Sequence, residues 1–397
     1  MIEMSETVDR AGKVLIGNYA RLPIVMSHGQ GAEVWDAAGK RYVDLFAGFG
    51  GAVLGHCHSD LIKAATTQAG KLWHVGNTFH TDPQIELAER LNRHAFPGKA
   101  FFCHSGLEAN EAAIKLARLR GQTSSPAKWK VVSLNRSFHG RSLAMIAATG
   151  NPAVKAGFEP AVPGFTQIDM NDSAALDKAC DDETCAIIAE PIQGEGGIHP
   201  LLTTFATELR KICDDRKITL IFDEVWTGCG RTGKMFGYQH LPVTPDILTL
   251  GKAIGGGLPV GVMYAKPELA SLLVPGKHGC TLGGNPICMA VARTIFDVID
   301  REDLLSFAKV QGEHAIARLR NEPKLRGKIK EVRGRALFIG AELTHEDPGL
   351  VERALARGVI VNVTAKTTIR LAPPINISRE HLDEGLTMLV DAIASKP

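Results

Sequence analysis

Two acids and a lysine stand at the ends of neighbouring apolar runs. The stretch ITLIF leads into Asp223 and Glu224, and DILTL leads through one glycine to Lys252 and the turn AIGGGLP. Apolar, β-branched runs without internal turn formers read as buried parallel strands, and the carboxyl ends of such strands are where open α/β sheets build their sites. A lysine amine that can condense with an aldehyde, beside an acid that keeps a heterocyclic nitrogen protonated, is the pair that pyridoxal phosphate chemistry needs. At an effective dielectric near 20, opposite charges about 4 Å apart attract by roughly 4 kcal/mol, or about three pKa units before desolvation. That is enough to hold a pyridinium at neutral pH. An Asp-Glu pair also serves as a helix cap or an ion-pair partner, so the remaining motifs decide.

HSGLEANEAAIKLA, residues 104–117, puts Ser105 and Gly106 at the mouth of an amphipathic helix. Free N–H groups and the helix dipole there suit a phosphate, and an ordinary start with Ser105 as N-cap suits the same residues. SFHGRSL presents Phe138, able to stack on a pyridine ring, and Arg141, able to grip a carboxylate. AEPIQGEGG carries Glu190 and Glu195 at another strand end, and Arg370 follows much later in TIRLAPP. An arginine for a carboxylate and a glutamate able to neutralise it would form a switch. HGCTLGGNP, with Thr281, is a glycine-rich loop suited to close approach to a phosphate or to another chain. GCGRTG fits the dinucleotide pattern, yet no helical periodicity follows it, which argues against NAD. Neither HCH at 56–58 nor the Cys180 and Cys185 pair has a second ligand pair at zinc spacing, so no metal is expected.

Around these motifs, short apolar runs alternate with helical patterns between 100 and 250, the signature of a mostly parallel sheet covered by helices. A second, smaller α+β domain is expected from the chain's two ends. The divisions read are 1–55 for an N-terminal arm and part of the small domain, 56–290 for the large domain and 291–397 for the rest of the small one. Asp82 is expected to cap the helix DPQIELAERLNRHAF, and one long helical stretch is expected from Pro286 onward. With 45 basic and 43 acidic side chains the chain shows no electrostatic footprint for nucleic acid or a membrane surface. Eight scattered cysteines, an acidic start without an apolar targeting segment and no long apolar run point to a cytoplasmic protein acting on small molecules.

Together, SGLEANEAAIKLAR, SFHGR, AEPIQGEGG, IFDEVWTGCGRTG, LGKAIGGGLPVG, HGCTLGGNP and TIRLAPP resemble the class III aminotransferases of fold type I. The likeness runs collinearly from NYARLP onward and is greatest to members that act on acetylornithine. It implies transfer of a terminal amino group from N-acetylornithine to 2-oxoglutarate in ping-pong half-reactions. Ornithine, succinylornithine, 4-aminobutyrate and N-succinyldiaminopimelate remain as other donors, and a non-catalytic pyridoxal phosphate binder as the reading of another class. The resemblance also implies that the parallel sheet has seven strands, and it implies residue roles. Lys252 would hold the cofactor and move protons, and Asp223 would pair with its ring nitrogen. Phe138, Glu224, Val225 and Trp226 would lie about the ring, and Ser105, Gly106 and Leu107 would hold the phosphate. Thr281 would reach the cofactor of a second subunit, making a homodimer with shared sites. Tyr19, Arg141 and Cys280 would contact substrate, and Arg370 would take the α-carboxylate of glutamate, with Glu195 masking it otherwise. Two positions depart from the family pattern: Trp226 stands where glutamine is usual, and Leu107 where alanine or threonine is.

Overall fold

The computed structural model describes residues 4–395, and its largest sheet has seven strands. In chain order they are β1 (Lys99–Cys103), β2 (Lys130–Leu134), β3 (Phe165–Ile168), β4 (Thr184–Ala189), β5 (Thr219–Asp223), β6 (Ile247–Leu250) and β7 (Gly261–Ala265). They lie in the order β1-β7-β6-β5-β4-β2-β3, with β7 antiparallel to both neighbours and every other pair parallel. Side chains alternate across a strand, and here both faces are covered. Leu220 and Phe222 of β5 enter one core with the helix Thr203–Asp215, whereas Ile221 enters another with the helix Gly106–Gly121. This is why β4 to β7 are buried at every residue and read as unbroken apolar runs.

The chain's ends build the rest. Glu33–Asp36 and Arg41–Asp44 form an antiparallel pair, extended on one side by Met26–Gln30 and on the other, in parallel, by Val359–Ile360. A second four-stranded sheet orders Ile329–Arg335, Phe338–Leu343, Thr368–Leu371 and Asn362–Thr364, and its third strand carries Arg370 towards the large sheet. Two details differ from the sequence reading. The helix Asp82–His94 has Thr81 at its N-cap position, without a side-chain capping bond, so that Asp82 is already inside and Pro83 lies in the first turn, where its missing N–H costs nothing. The expected long helix breaks into Pro286–Arg301 and Leu304–Asn321, because Asp303 turns the chain through a left-handed conformation at φ +47°. Among the described residues no helix is long and apolar enough to cross a membrane, and all eight cysteines are free.

Candidate active site

The turns after β1, β2, β4, β5 and β6 enclose a cavity of about 460 Å³; β2, β4, β5 and β6 lie side by side, and the antiparallel β7 separates β6 from β1. Asp223 forms its floor, 3% exposed. Its Oδ2 accepts from Asn110 Nδ2 at 2.7 Å and pairs with His139 Nδ1 at 2.8 Å, while Oδ1 accepts from the Val225 N–H at 3.0 Å. Asn110 is itself held by Thr249 Oγ1, which donates to its Oδ1 at 2.6 Å. A buried carboxylate tied on three sides stays in one place. Next to it, Glu190 accepts from the N–H groups of Phe138 at 3.0 Å and Gly194 at 2.9 Å. Burial pushes its carboxyl up to about 7, against the pull of His139.

Lys252 follows β6 in a left-handed conformation, φ +44°, at the start of a short 3-10 turn. A lysine in that region is uncommon and carries strain. Burial lowers its ammonium to about 8, and the nearby charges of Asp223 and Glu195 oppose that shift. Its Nζ lies over the indole of Trp226, 4.2 Å from the ring centroid.

Opposite the lysine, the helix Gly106–Gly121 points its N-terminus into the cavity. Ser105 is its N-cap: Oγ accepts from the Glu108 N–H at 3.2 Å and donates to Glu108 Oε2 at 3.0 Å. The mouth is packed so closely that a Cβ on Gly106 would stand 2.4 Å from Val225 Cγ2, and one on Gly251 would stand 2.9 Å from the Gly106 nitrogen. Glycine at both places lets backbone N–H groups face the cavity at close range. A polar-headed, ring-bodied ligand fits this shape, with an anion cradle at one end, a fixed carboxylate at the other and an amine at the side.

Trp226 is 4% exposed and joins Lys252 to the second sheet. Its ring stacks on Phe338 at 5.4 Å, and Arg370 lies over it at 4.4 Å. Its bulk is admitted by two glycines: a Cβ on Gly50 or Gly194 would fall 2.9 or 2.5 Å from the indole. Its Nε1–H, like Nε2 of His139, is buried without a hydrogen-bond partner among the described residues. Arg370 is almost wholly buried; it donates to Glu195 Oε1 at 2.7 Å, to Asn362 Oδ1 at 2.8 Å and to the Gly194 carbonyl at 3.1 Å.

The sequence-derived set thus divides. Ser105, Gly106, Leu107, Phe138, Arg141, Asp223, Val225, Trp226 and Lys252 all line the cavity, and Glu195 with Arg370 meets it through Trp226. Glu224 points away: its carboxylate accepts from Thr227 Oγ1 and from the N–H groups of Gly237 at 2.7 Å and Tyr238 at 2.6 Å, and burial raises it to about 7. Tyr19 is 68% exposed on the N-terminal segment, with Arg21 over its ring. Thr281 is exposed, and Cys280 faces an adjoining pocket beside His104 and Glu108. Asn110 and His139, which hold Asp223, are marked by none of the sequence motifs as site residues. Asn110 lies one helical turn beyond Gly106, on the same face, which was the available signal.

A model of the aminotransferase class-III family matches residues 16–393. The chain is a class-III aminotransferase. It is 44% identical over 385 residues to the acetylornithine aminotransferase of Methanocaldococcus jannaschii, across 96% of each chain. The ornithine aminotransferase of Toxoplasma gondii, described with PLP at its active site, superposes with a TM-score of 0.93 at 31% identity, over 98% of this chain and 94% of that one. The N-acetylornithine aminotransferase of Stenotrophomonas maltophilia does so with a TM-score of 0.84 at 33% identity, over 98% of each. Class-III aminotransferases depend on pyridoxal 5'-phosphate, and the cradle, carboxylate and amine of this member's cavity fit that cofactor.

Proposed function

We propose that this aminotransferase moves the terminal amino group of N-acetylornithine to 2-oxoglutarate, giving N-acetylglutamate semialdehyde and glutamate, as a step of arginine biosynthesis. The relatives' activities support the substrate. The observation that carries the reading is the buried ion pair of Arg370 and Glu195 beside Lys252. A donor whose reacting amine is terminal brings no carboxylate next to it, so a bare guanidinium there would face an apolar chain. Glu195 neutralises it. Glutamate does bring an α-carboxylate, and Glu195, 29% exposed, has room to yield Arg370 to it. Arg141, exposed at the cavity's mouth, is placed for the donor's distant carboxylate.

When bound, pyridoxal phosphate supplies an aldehyde that takes up the amino group and a ring that withdraws electrons. Asp223 would hold the ring nitrogen's proton, Phe138 and Val225 would flank the ring, and Ser105, Gly106 and Leu107 would take the phosphate. Lys252 would anchor the cofactor and carry the proton between substrate carbon and cofactor. An amine near pH 8 is free often enough to accept that proton and charged often enough to return it.

Two expected results follow. The free amine of Lys252 is the nucleophile, and its fraction falls about tenfold per pH unit below its pKa. With that pKa lowered to about 8, cofactor uptake by the stripped chain should speed up from pH 6 to 8 and level off above 9, read by stopped-flow absorbance. Glu195→Gln should lower kcat/KM for N-acetylornithine by about 10- to 100-fold, the worth of a charge-assisted hydrogen bond, and lower that for glutamate far less. The test of the whole reading is a panel of half-reactions followed by cofactor absorbance with N-acetylornithine, ornithine, succinylornithine and 4-aminobutyrate. Fastest conversion with a donor other than N-acetylornithine would move the substrate assignment, and binding without conversion by any of them would remove it.

A cytoplasmic homodimer, with an N-terminal arm and part of the small domain in residues 1–55, a large domain of 56–290 and the rest of the small domain in 291–397, belongs to the same proposal. Trp73, Phe79 and Leu282 are 68%, 64% and 50% exposed on segments joined by Asn77 and Asn285, whose side chains hold Cys280, Gly283 and Trp73 carbonyls. Exposed apolar residues so grouped suit a subunit contact, and it would carry Thr281 to a neighbouring cofactor. Sedimentation at the mass of one chain would refute this.

A further inference from the structure

Behind the helix N-terminus, two side chains four residues apart, His104 and Glu108, meet a third, Cys280, from a distant part of the sequence. His104 Nδ1 lies 3.0 Å from Glu108 Oε1 and 3.3 Å from Cys280 Sγ, and Cys280 Sγ lies 3.9 Å from the same Glu108 oxygen. A triangle with those edges has its vertices about 2.0 Å from its centre, and an ion standing slightly off its plane meets the bond lengths of roughly 2.0–2.3 Å that zinc takes to nitrogen, oxygen and sulfur. The ligands are held in place. Glu108 Oε2 accepts from the His104 N–H at 2.9 Å and from Ser105 Oγ at 3.0 Å, which leaves Oε1 turned to the other two. The Cys280 carbonyl accepts from Asn77 Nδ2 at 3.0 Å, and a Cβ on Gly283 would stand 2.9 Å from Cys280 Sγ, so glycine makes the room the thiol occupies. Partners that fix a ligand's free side are what tune metal sites.

We propose that Cys280, His104 and Glu108 form a zinc site in the wall between the cofactor cavity and the adjoining pocket of about 470 Å³, with water in the fourth position. One thiolate, one imidazole and one carboxylate form a borderline-soft set with an open vertex, which suits Zn²⁺ and not the all-oxygen preference of Mg²⁺ or Ca²⁺. Binding replaces the thiol proton of Cys280, released to solvent, by a sulfur–metal bond. The thiol that the family resemblance gives to substrate thereby has a second use.

The test is made on the holoenzyme, freed of metal with a chelator and titrated with CoCl₂ and then ZnCl₂. One Co²⁺ per chain is expected, with the strong red-region absorption of four-coordinate cobalt, where the cofactor does not absorb, and one Zn²⁺ should displace it. Cys280→Ser should lose that absorption, and His104→Ala should weaken zinc binding by more than the roughly 10- to 100-fold that loss of an outer partner costs. Cys57→Ser, at an exposed thiol elsewhere, should change neither. Absence of stoichiometric cobalt or zinc, or an absorption that survives Cys280→Ser, overturns the site. Thermal melts show which variants fold, and if Cys280→Ser does not, Glu108→Gln read by the same absorption decides.

Discussion

Lys252→Ala should lower turnover by at least about 10³-fold, within the range that a positioned acid/base group supplies, and should leave no cofactor attached to the chain after borohydride reduction. The amine is buried at the end of β6, lowered to about 8 by that burial, and fixed by a left-handed backbone. The two buried basic groups nearest to it are already committed. His139 is locked against Asp223 at 2.8 Å and Arg370 against Glu195 at 2.7 Å; a guanidinium in any case gives up no proton at working pH. Lys252→Arg separates charge from reactivity. It keeps a cation over the Trp226 ring, so it should hold the fold's melting temperature and still lose turnover to the same extent. Mass spectrometry of the reduced protein and single-turnover assays read both outcomes. A Lys252→Ala enzyme that turns over at the parent rate would remove the proton-carrying role altogether.

The acid and the amine were legible because the sheet is buried on both faces. Alternate residues of β5 enter two different cores, so the strand is a continuous apolar run and its polar end stands out. The same geometry shows why Glu224 was misplaced among the cofactor contacts. Consecutive side chains leave a strand on opposite sides; with Asp223 facing the cavity, Glu224 had to face away, and it does, into the turn of Gly237 and Tyr238. Ser105 as N-cap could be read locally, since capping needs only residues three apart. What holds Asp223 could not. Asn110 and His139 reach it across 113 and 84 residues, and no local pattern encodes that approach. The room for Trp226 is equally non-local, made by glycines at 50 and 194 that lie far apart in the chain. The zinc-type ligands show no local spacing for the same reason, His104 and Cys280 being 176 residues apart.

Asp223→Asn should cost about 10³-fold in kcat, because it removes the charge that faces the ring and mismatches the hydrogen bonds around it. If the carboxylate holds a ring nitrogen's proton by roughly 4 kcal/mol at an effective dielectric near 20, removing the charge forfeits about three pKa units, and the ring is then mostly unprotonated at neutral pH. The substitution also turns one acceptor into a donor. Oδ2 now takes Asn110 Nδ2 at 2.7 Å; an amide nitrogen at that position would meet another amide nitrogen, and the opposite orientation would set it against the Val225 N–H at Oδ1, 3.0 Å away. Either orientation leaves one buried donor unmatched, at a cost of about 1–3 kcal/mol. Stability should fall by that amount in urea titration, far less than the loss of rate implies. Asn110→Ala separates the two effects, since it removes one hydrogen bond and keeps the charge: it should lower stability comparably while reducing kcat much less. Equal losses of kcat in the two variants would mean that Asp223 acts through the fold of the network and not through its charge.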